Sequence, residues 1–212
     1  MTPIRDAYLV AAASAATLLN DPEVAASWAA PSALRGFTVG GLSVHLAGQV
    51  LFVSQTLSEP PPEAEPVSLL GHYARVLWIG ADIDDEINVS IRRGGEAGAA
   101  EGAAALAART EAVVRELRDA LPAQPADRIV HPPAGPWGLR LDDFLVTRMM
   151  EIAVHSDDLA HSVAVATPAL PPAVIDPVLA LLTALAVRRH GPTAVLRALS
   201  RAERATATIA AF

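Results

Sequence analysis

Clusters of proline divide this 212-residue sequence into apolar stretches at helical spacing, and that division limits what it can fold into. Residues 59–66 hold four prolines and three glutamates, and residues 122–138 hold five prolines and two glycines. Neither stretch can continue a helix, so both read as connections. Residues 168–172 form a further boundary. Between these breaks, apolar residues recur every three or four positions, and alternating strand patterns are nearly absent.

The spacing predicts a first helix over residues 4–19, entered through Thr2 and Pro3, which suit a cap and first turn. Residues 21–28 add a short helical turn. Thr38 reads as the N-cap of a helix over 39–57. Ser68 caps a third helix running to about 93, and glycines at 94–98 read as a break. A fourth helix covers 99–121. The long connection at 122–138 has one extended stretch at 128–131, and a connection of that length is often functional. Another helix covers 139–165, with Asp142 and Asp143 near its start, where negative charge suits the dipole. Helices over 173–189 and from 193 onward complete the chain. The expected fold is all-α: a four- or five-helix bundle over residues 1–167 and a helical C-terminal extension over 168–212.

Composition narrows the function. All sixteen basic residues are arginine, the net charge is -7, and no basic run is longer than Arg188-Arg189-His190. Nucleic-acid binding needs a clustered positive footprint, so it is disfavoured. There is no cysteine, which excludes a disulfide framework, a thiolate metal site and a cysteine nucleophile. The longest apolar run, 178–187, is too short to span a bilayer and reads as a buried helix. Its apolar face would pack on the bundle or form a homodimer interface. Residues 1–19 lack the pattern of a signal peptide, so the expected location is the cytoplasm, with no membrane partner.

The stretch 148–158 carries the chemistry. Glu151 and His155 are four apart and share one helical face, with Arg148 one turn before and Asp158 one turn after. Such a polar stripe in an apolar helix is costly to bury unless its groups are paired or bound to metal. A carboxylate and an imidazole at this spacing can reach one ion, but a closed site needs a further ligand from elsewhere. Of the six histidines, His45 is the strongest candidate, because it sits in an apolar helix between Val44 and Leu46. His72, His131, His161 and His190 lie at helix ends, in the proline-rich connection or farther along the same helix. The plainer readings are an Arg148–Glu151 intrahelical ion pair and a His45 whose hydrogen bonds are satisfied in the core. Trp78 and Trp137 are candidate walls of a binding site, with simple packing as the alternative.

The two polar segments together carry a resemblance. Thr38-Val39-Gly40-Gly41-Leu42-Ser43-Val44-His45-Leu46-Ala47, and the segment from Arg148 through Glu151 and His155 to Asp158, Leu159 and Ala160, resemble the two signatures of the mycothiol-dependent maleylpyruvate isomerase family. That family belongs to the DinB-like metal-binding four-helix bundles. The resemblance covers about residues 5–165 and implies a divalent metal, usually zinc with nickel possible, on His45, Glu151 and His155. It implies mycothiol as a thiol cosubstrate and a small electrophilic substrate, with S-transfer or isomerisation as the reaction. Under it, Arg148 binds a substrate or thiol carboxylate or orients Glu151, and Asp158 accepts a ligand imidazole N–H. The isomerase proper resembles a bundle plus an α/β C-terminal domain, whereas residues 168–212 read as helices, which points towards S-transfer. Two other readings stay open: a non-catalytic metal- or small-ligand-binding bundle, and a structural protein whose polar stripe is only an ion-pair network.

Overall fold

The computed structural model describes residues 1–212. The helices are α1 (Pro3–Leu19), α2 (Pro22–Ala26), α3 (Val39–Ser58), α4 (Leu69–Tyr73), α5 (Glu86–Gly98), α6 (Ala103–Ala120), α7 (Leu141–Ser162), α8 (Pro172–His190) and α9 (Pro192–Ser200). Helices α1, α7, α3 and α6 form a closed ring of neighbours, so the heart of the molecule is a four-helix bundle. α5 lies along α3, and α8 lies against α7 and α1. The chain is all-helical apart from one small sheet, and no helix is long and apolar enough to cross a membrane.

The bundle forms because each helix turns one apolar stripe inward. α1 contributes Tyr8 and a row of alanines, Ala11, Ala12 and Ala15, all fully buried. Their small size lets α1 sit close to its neighbours. α3 supplies Leu42, Leu46, Val50 and Val53, and α7 supplies Phe144, Leu145, Met149 and Ile152. Each such side chain stabilises the fold by about 1.5–3 kcal/mol relative to exposure. From α8, Val174, Val178, Leu181 and Leu185 join the same buried cluster, so the inner face of the 178–187 run packs on the bundle.

Caps set the helix ends. Arg5 N–H and Gly41 N–H donate to Thr2 Oγ1 and Thr38 Oγ1, which fixes the starts of α1 and α3 as the sequence suggests. One buried charge locks the bundle's end. Arg5, 2% exposed, donates from Nε to Asp142 Oδ1 at 3.0 Å, from Nη1 to the Gln124 carbonyl and from Nη2 to the Pro125 carbonyl, both at 2.7 Å. It thereby ties α1 to the end of α6 and the start of α7.

Three expectations are corrected. Residues 68–93 are not one helix. α4 stops at Tyr73, Gly80 adopts a left-handed φ of +78°, and α5 begins only after Asp85. The 94–98 break is absent, because α5 runs through its glycines. A Cβ on Gly95 would stand 2.8 Å from the Gly41 carbonyl oxygen, so glycine there serves a close helix contact rather than a turn. The proline-rich connections hold strands beyond the extended stretch expected at 128–131: β2 (Ile129–Val130) lies within it, and β1 (Pro66–Val67) and β3 (Gly138–Arg140) join it in the order β1-β3-β2. β3 pairs parallel to β1 and antiparallel to β2, which anchors both long connections beside the start of α7.

Candidate metal centre

α7 and α3 are neighbours in the bundle, and their facing polar residues meet where the apolar stripes are interrupted. On α7, Glu151 and His155 lie one turn apart, and Glu151 Oε2 is 3.1 Å from His155 Nε2. From α3, His45 Nε2 comes to 3.9 Å from the same oxygen. One ligand atom from each of the three residues lies within 4.8 Å of the other two. Side-chain exposures are 22% for His45, 14% for Glu151 and 12% for His155, low enough to weaken competition from water. The two imidazole rings meet edge to face at 4.6 Å between centroids.

His155 is oriented from behind. Its Nδ1 lies 3.0 Å from Asp158 Oδ2, one turn further along α7. In the metal-free protein Nε2 donates to Glu151 Oε2, and once that proton leaves, the Nδ1–H held by Asp158 keeps the Nε2 lone pair aimed at Glu151 and His45. Arg148 forms no ion pair with Glu151. Its Nη1 donates to Gln49 Oε1 at 2.5 Å, its Nε donates to Thr147 Oγ1 at 3.0 Å, and its guanidinium stands 5.3 Å from the Phe144 ring centre. Gln49 in turn donates from Nε2 to the His45 carbonyl at 2.8 Å, linking Arg148 to α3.

Electrostatics follow from burial and proximity. Burial, helped by the charge of His155, holds the His45 pKa down at about 4. Burial alone would raise the Glu151 pKa, but the hydrogen bond from His155 and the surrounding positive charges bring it down to about 2. Burial would likewise lower the His155 pKa, yet its hydrogen bonds to Asp158 and Glu151 and their charges raise it to about 9. The ring of His45 makes no hydrogen bond. Two imidazoles and one carboxylate, converging with one nitrogen unengaged, fit a borderline divalent ion such as zinc or nickel.

Two cavities open on this cluster. The larger, about 620 Å³, runs past His45, Glu151, Gln49, His72 and Arg148 to Arg109. Pro132, Pro133 and Ala134 of the second proline-rich connection form part of its wall. The smaller, about 380 Å³, touches His45, Glu151, His155 and Asp158 from another side. Trp78 lines both. Trp137 instead packs its connection down, donating from Nε1 to Nδ1 of buried His72 at 3.0 Å. His161 is exposed, and His190 bonds the Ala210 carbonyl. Gln49 and Phe212 lie at the site without having been singled out from sequence. Gln49 had a usable signal, since it sits four residues after His45 on one face of α3. Phe212, far along the chain, had none.

One comparison with known proteins gives a match. The family model described as mycothiol maleylpyruvate isomerase N-terminal domain matches residues 9–160. No curated protein and no solved structure matches the chain. The matched span runs from α1 to the end of α7 and contains both helices that build the cluster. With that span covering more than half of the sequence, the chain belongs to the mycothiol maleylpyruvate isomerase N-terminal domain family.

Proposed function

We propose that the protein is a metal-dependent enzyme that joins a low-molecular-weight thiol of the mycothiol type to a small electrophile, by S-transfer or by an isomerisation through thiol addition. The observation that carries this is the convergence of His45, Glu151 and His155 ligand atoms within 4.8 Å at the mouths of two cavities. These residues would hold one divalent ion, zinc or nickel. Such an ion lowers the pKa of a bound thiol, so that a thiolate forms near neutral pH.

The remaining residues act on binding and orientation. Asp158 keeps the His155 ring turned so that Nε2 faces the cluster. Arg148, steadied by Gln49, offers a cation in the larger cavity to a carboxylate of the thiol or of the substrate. The absence of cysteine fits a thiol supplied from outside. The cytoplasm, where such thiols are held reduced, is the compartment this reading implies.

Elemental analysis of the purified protein tests the proposal. Close to one divalent ion per chain is expected in the wild type, with strong loss in His45→Ala and in His155→Ala. Thiol consumption with a model electrophile should then require the metal. A wild-type protein that carries no metal and takes up no added zinc or nickel overturns the proposal. A metal-loaded protein with no thiol chemistry leaves a metal-binding bundle without catalysis.

A further inference from the structure

The two cavities share His45, Trp78, Ile91 and Glu151, but their walls differ in chemistry. The larger has two arginines, Arg148 and Arg109, and the amides of Gln49 and Gln55. The smaller has no arginine. Its walls are mostly apolar, with Leu34, Phe37, Met150, Val154, Trp78 and Phe212 beside the one amide of Asn88, and its charged groups are those of the cluster itself. The boundary on the outer side is built by a distant part of the chain. Phe212 meets Trp78 edge to face, with centroids 5.0 Å apart and planes at 80°. The segment leading to it is tied down by the 2.8 Å bond between His190 Nε2 and the Ala210 carbonyl, and Ala211 packs against the core.

We infer that the smaller cavity is the electrophile's subsite, that it accepts an uncharged apolar or aromatic group, and that Phe212 with Trp78 sets this specificity. The inference rests on the proposed function and narrows its substrate class. Three aromatic side chains, Phe37, Trp78 and Phe212, offer ring faces and edges to a flat apolar group. The charges argue against a dicarboxylate there. Glu151 and Asp158 together cancel a divalent ion, so the smaller cavity has no spare cation to pair with an anionic substrate, and burying such a charge unpaired is costly. The arginines of the larger cavity suit the polar thiol instead. With a halogenated aromatic as electrophile, the sulfur–carbon bond forms and the carbon–halogen bond breaks. Halide leaves with the bonding pair, and the thiol proton passes to water.

Equilibrium dialysis of the metal-loaded protein tests this without turnover. The probes are 4-nitroaniline, an uncharged aromatic that does not react with thiols, and maleate. One 4-nitroaniline should bind per chain, and maleate should not displace it. Phe212→Ala should weaken 4-nitroaniline binding by about fivefold or more through loss of apolar contact. Leu34→Arg, which alters the same cavity from a different part of the chain, should let maleate displace 4-nitroaniline. Displacement of 4-nitroaniline by maleate from the wild type, or 4-nitroaniline binding indifferent to both substitutions, overturns the inference. Metal content measured on the same samples separates the two ideas. A chain that takes up no metal yet discriminates the probes overturns only the proposed function. A chain that holds metal but does not discriminate overturns only the subsite.

Discussion

Arg5 and Glu151 are both charged side chains inside one apolar bundle, yet their surroundings differ in kind. Every nitrogen of the Arg5 guanidinium donates, to Asp142 or to a carbonyl at the end of α6. Its hydrogen bonds are complete, and neither of the two cavities reaches it. The Glu151 cluster is the reverse. Ligand atoms face one another, His45 Nε2 stands 3.9 Å from its nearest partner, and two cavities open on the group. A buried charge with its hydrogen bonds complete holds a fold together. A buried cluster whose ligand atoms converge, with the His45 ring left without a hydrogen bond, is poised to take something from outside.

The sharpest way to break the comparison is at Arg5. Arg5→Ala leaves Asp142 and the carbonyls of Leu121, Gln124 and Pro125 without their donor. The expected loss is roughly 3–5 kcal/mol of unfolding free energy, typical of one-sided removal of a buried ionic partner. Denaturant midpoints of the metal-free proteins measure it. The protein that stays folded should still bind metal at the wild-type ratio. A loss under about 1 kcal/mol would mean that the Arg5 network is ornamental.

Next comes the metal centre. His155→Ala should reduce metal affinity by more than about 100-fold, the upper end of what outer supporting groups achieve. The metal-free variant should lose less unfolding free energy than Arg5→Ala, because only the His155 hydrogen bonds to Glu151 and Asp158 are removed. Competition with a chromogenic chelator gives the affinity, and denaturation of the chelated proteins gives the stability. Equal damage to both quantities would place His155 with Arg5 as a structural group. Asp158→Ala should act more weakly, lowering affinity about 10–100-fold because the ligand ring is kept but its anchor is lost. Unchanged affinity would show that the 3.0 Å contact to Nδ1 does not steer the ring.

These two clusters were not equally legible in the sequence. Arg148, Glu151, His155 and Asp158 lie on one helical stripe, so their common face follows from the 3.6-residue period. The meeting of His45 with that stripe depends on α3 and α7 being neighbours, which periodicity cannot say; the family resemblance supplied it. Arg5 gives no signal in the sequence, because its partners are more than a hundred residues away. The long helices α1, α3, α7 and α8 could be read almost to their ends, α1 and α3 with the help of their threonine caps. The 68–93 stretch could not, since the turn at Gly80 and the 2.8 Å bond from Asp82 N–H to Asp85 Oδ2 end one helix and start another without a proline. Gly95 misled in the opposite direction, because its role depends on the backbone of α3. The extended stretch at 128–131 holds β2, but its partners were hidden for the same reason: β1 and β3 pair across about seventy residues and are only two and three residues long.

A smaller effect refines the contrast at His72, a buried polar group that borders the larger cavity but belongs to neither cluster. Its Nδ1 accepts the Trp137 Nε1–H at 3.0 Å, so that nitrogen must be unprotonated in the fold. Burial, with the Arg148 charge, holds its pKa down at about 4. In the unfolded chain the imidazole takes its proton near pH 6.5. Between these values the unfolded state binds more protons, so stability falls as pH drops from about 6.5 towards 4. His72→Gln removes the titration and keeps an oxygen acceptor for Trp137. Relative to wild type, the variant should gain on the order of 1 kcal/mol between pH 7 and pH 5, after allowance for solvent screening. Urea midpoints at the two pH values read the difference, and the contribution of His45 cancels because both proteins carry it. Parallel pH dependences would mean that His72 is protonated in the fold, and that Trp137 and its proline-rich connection are held by packing rather than by this bond.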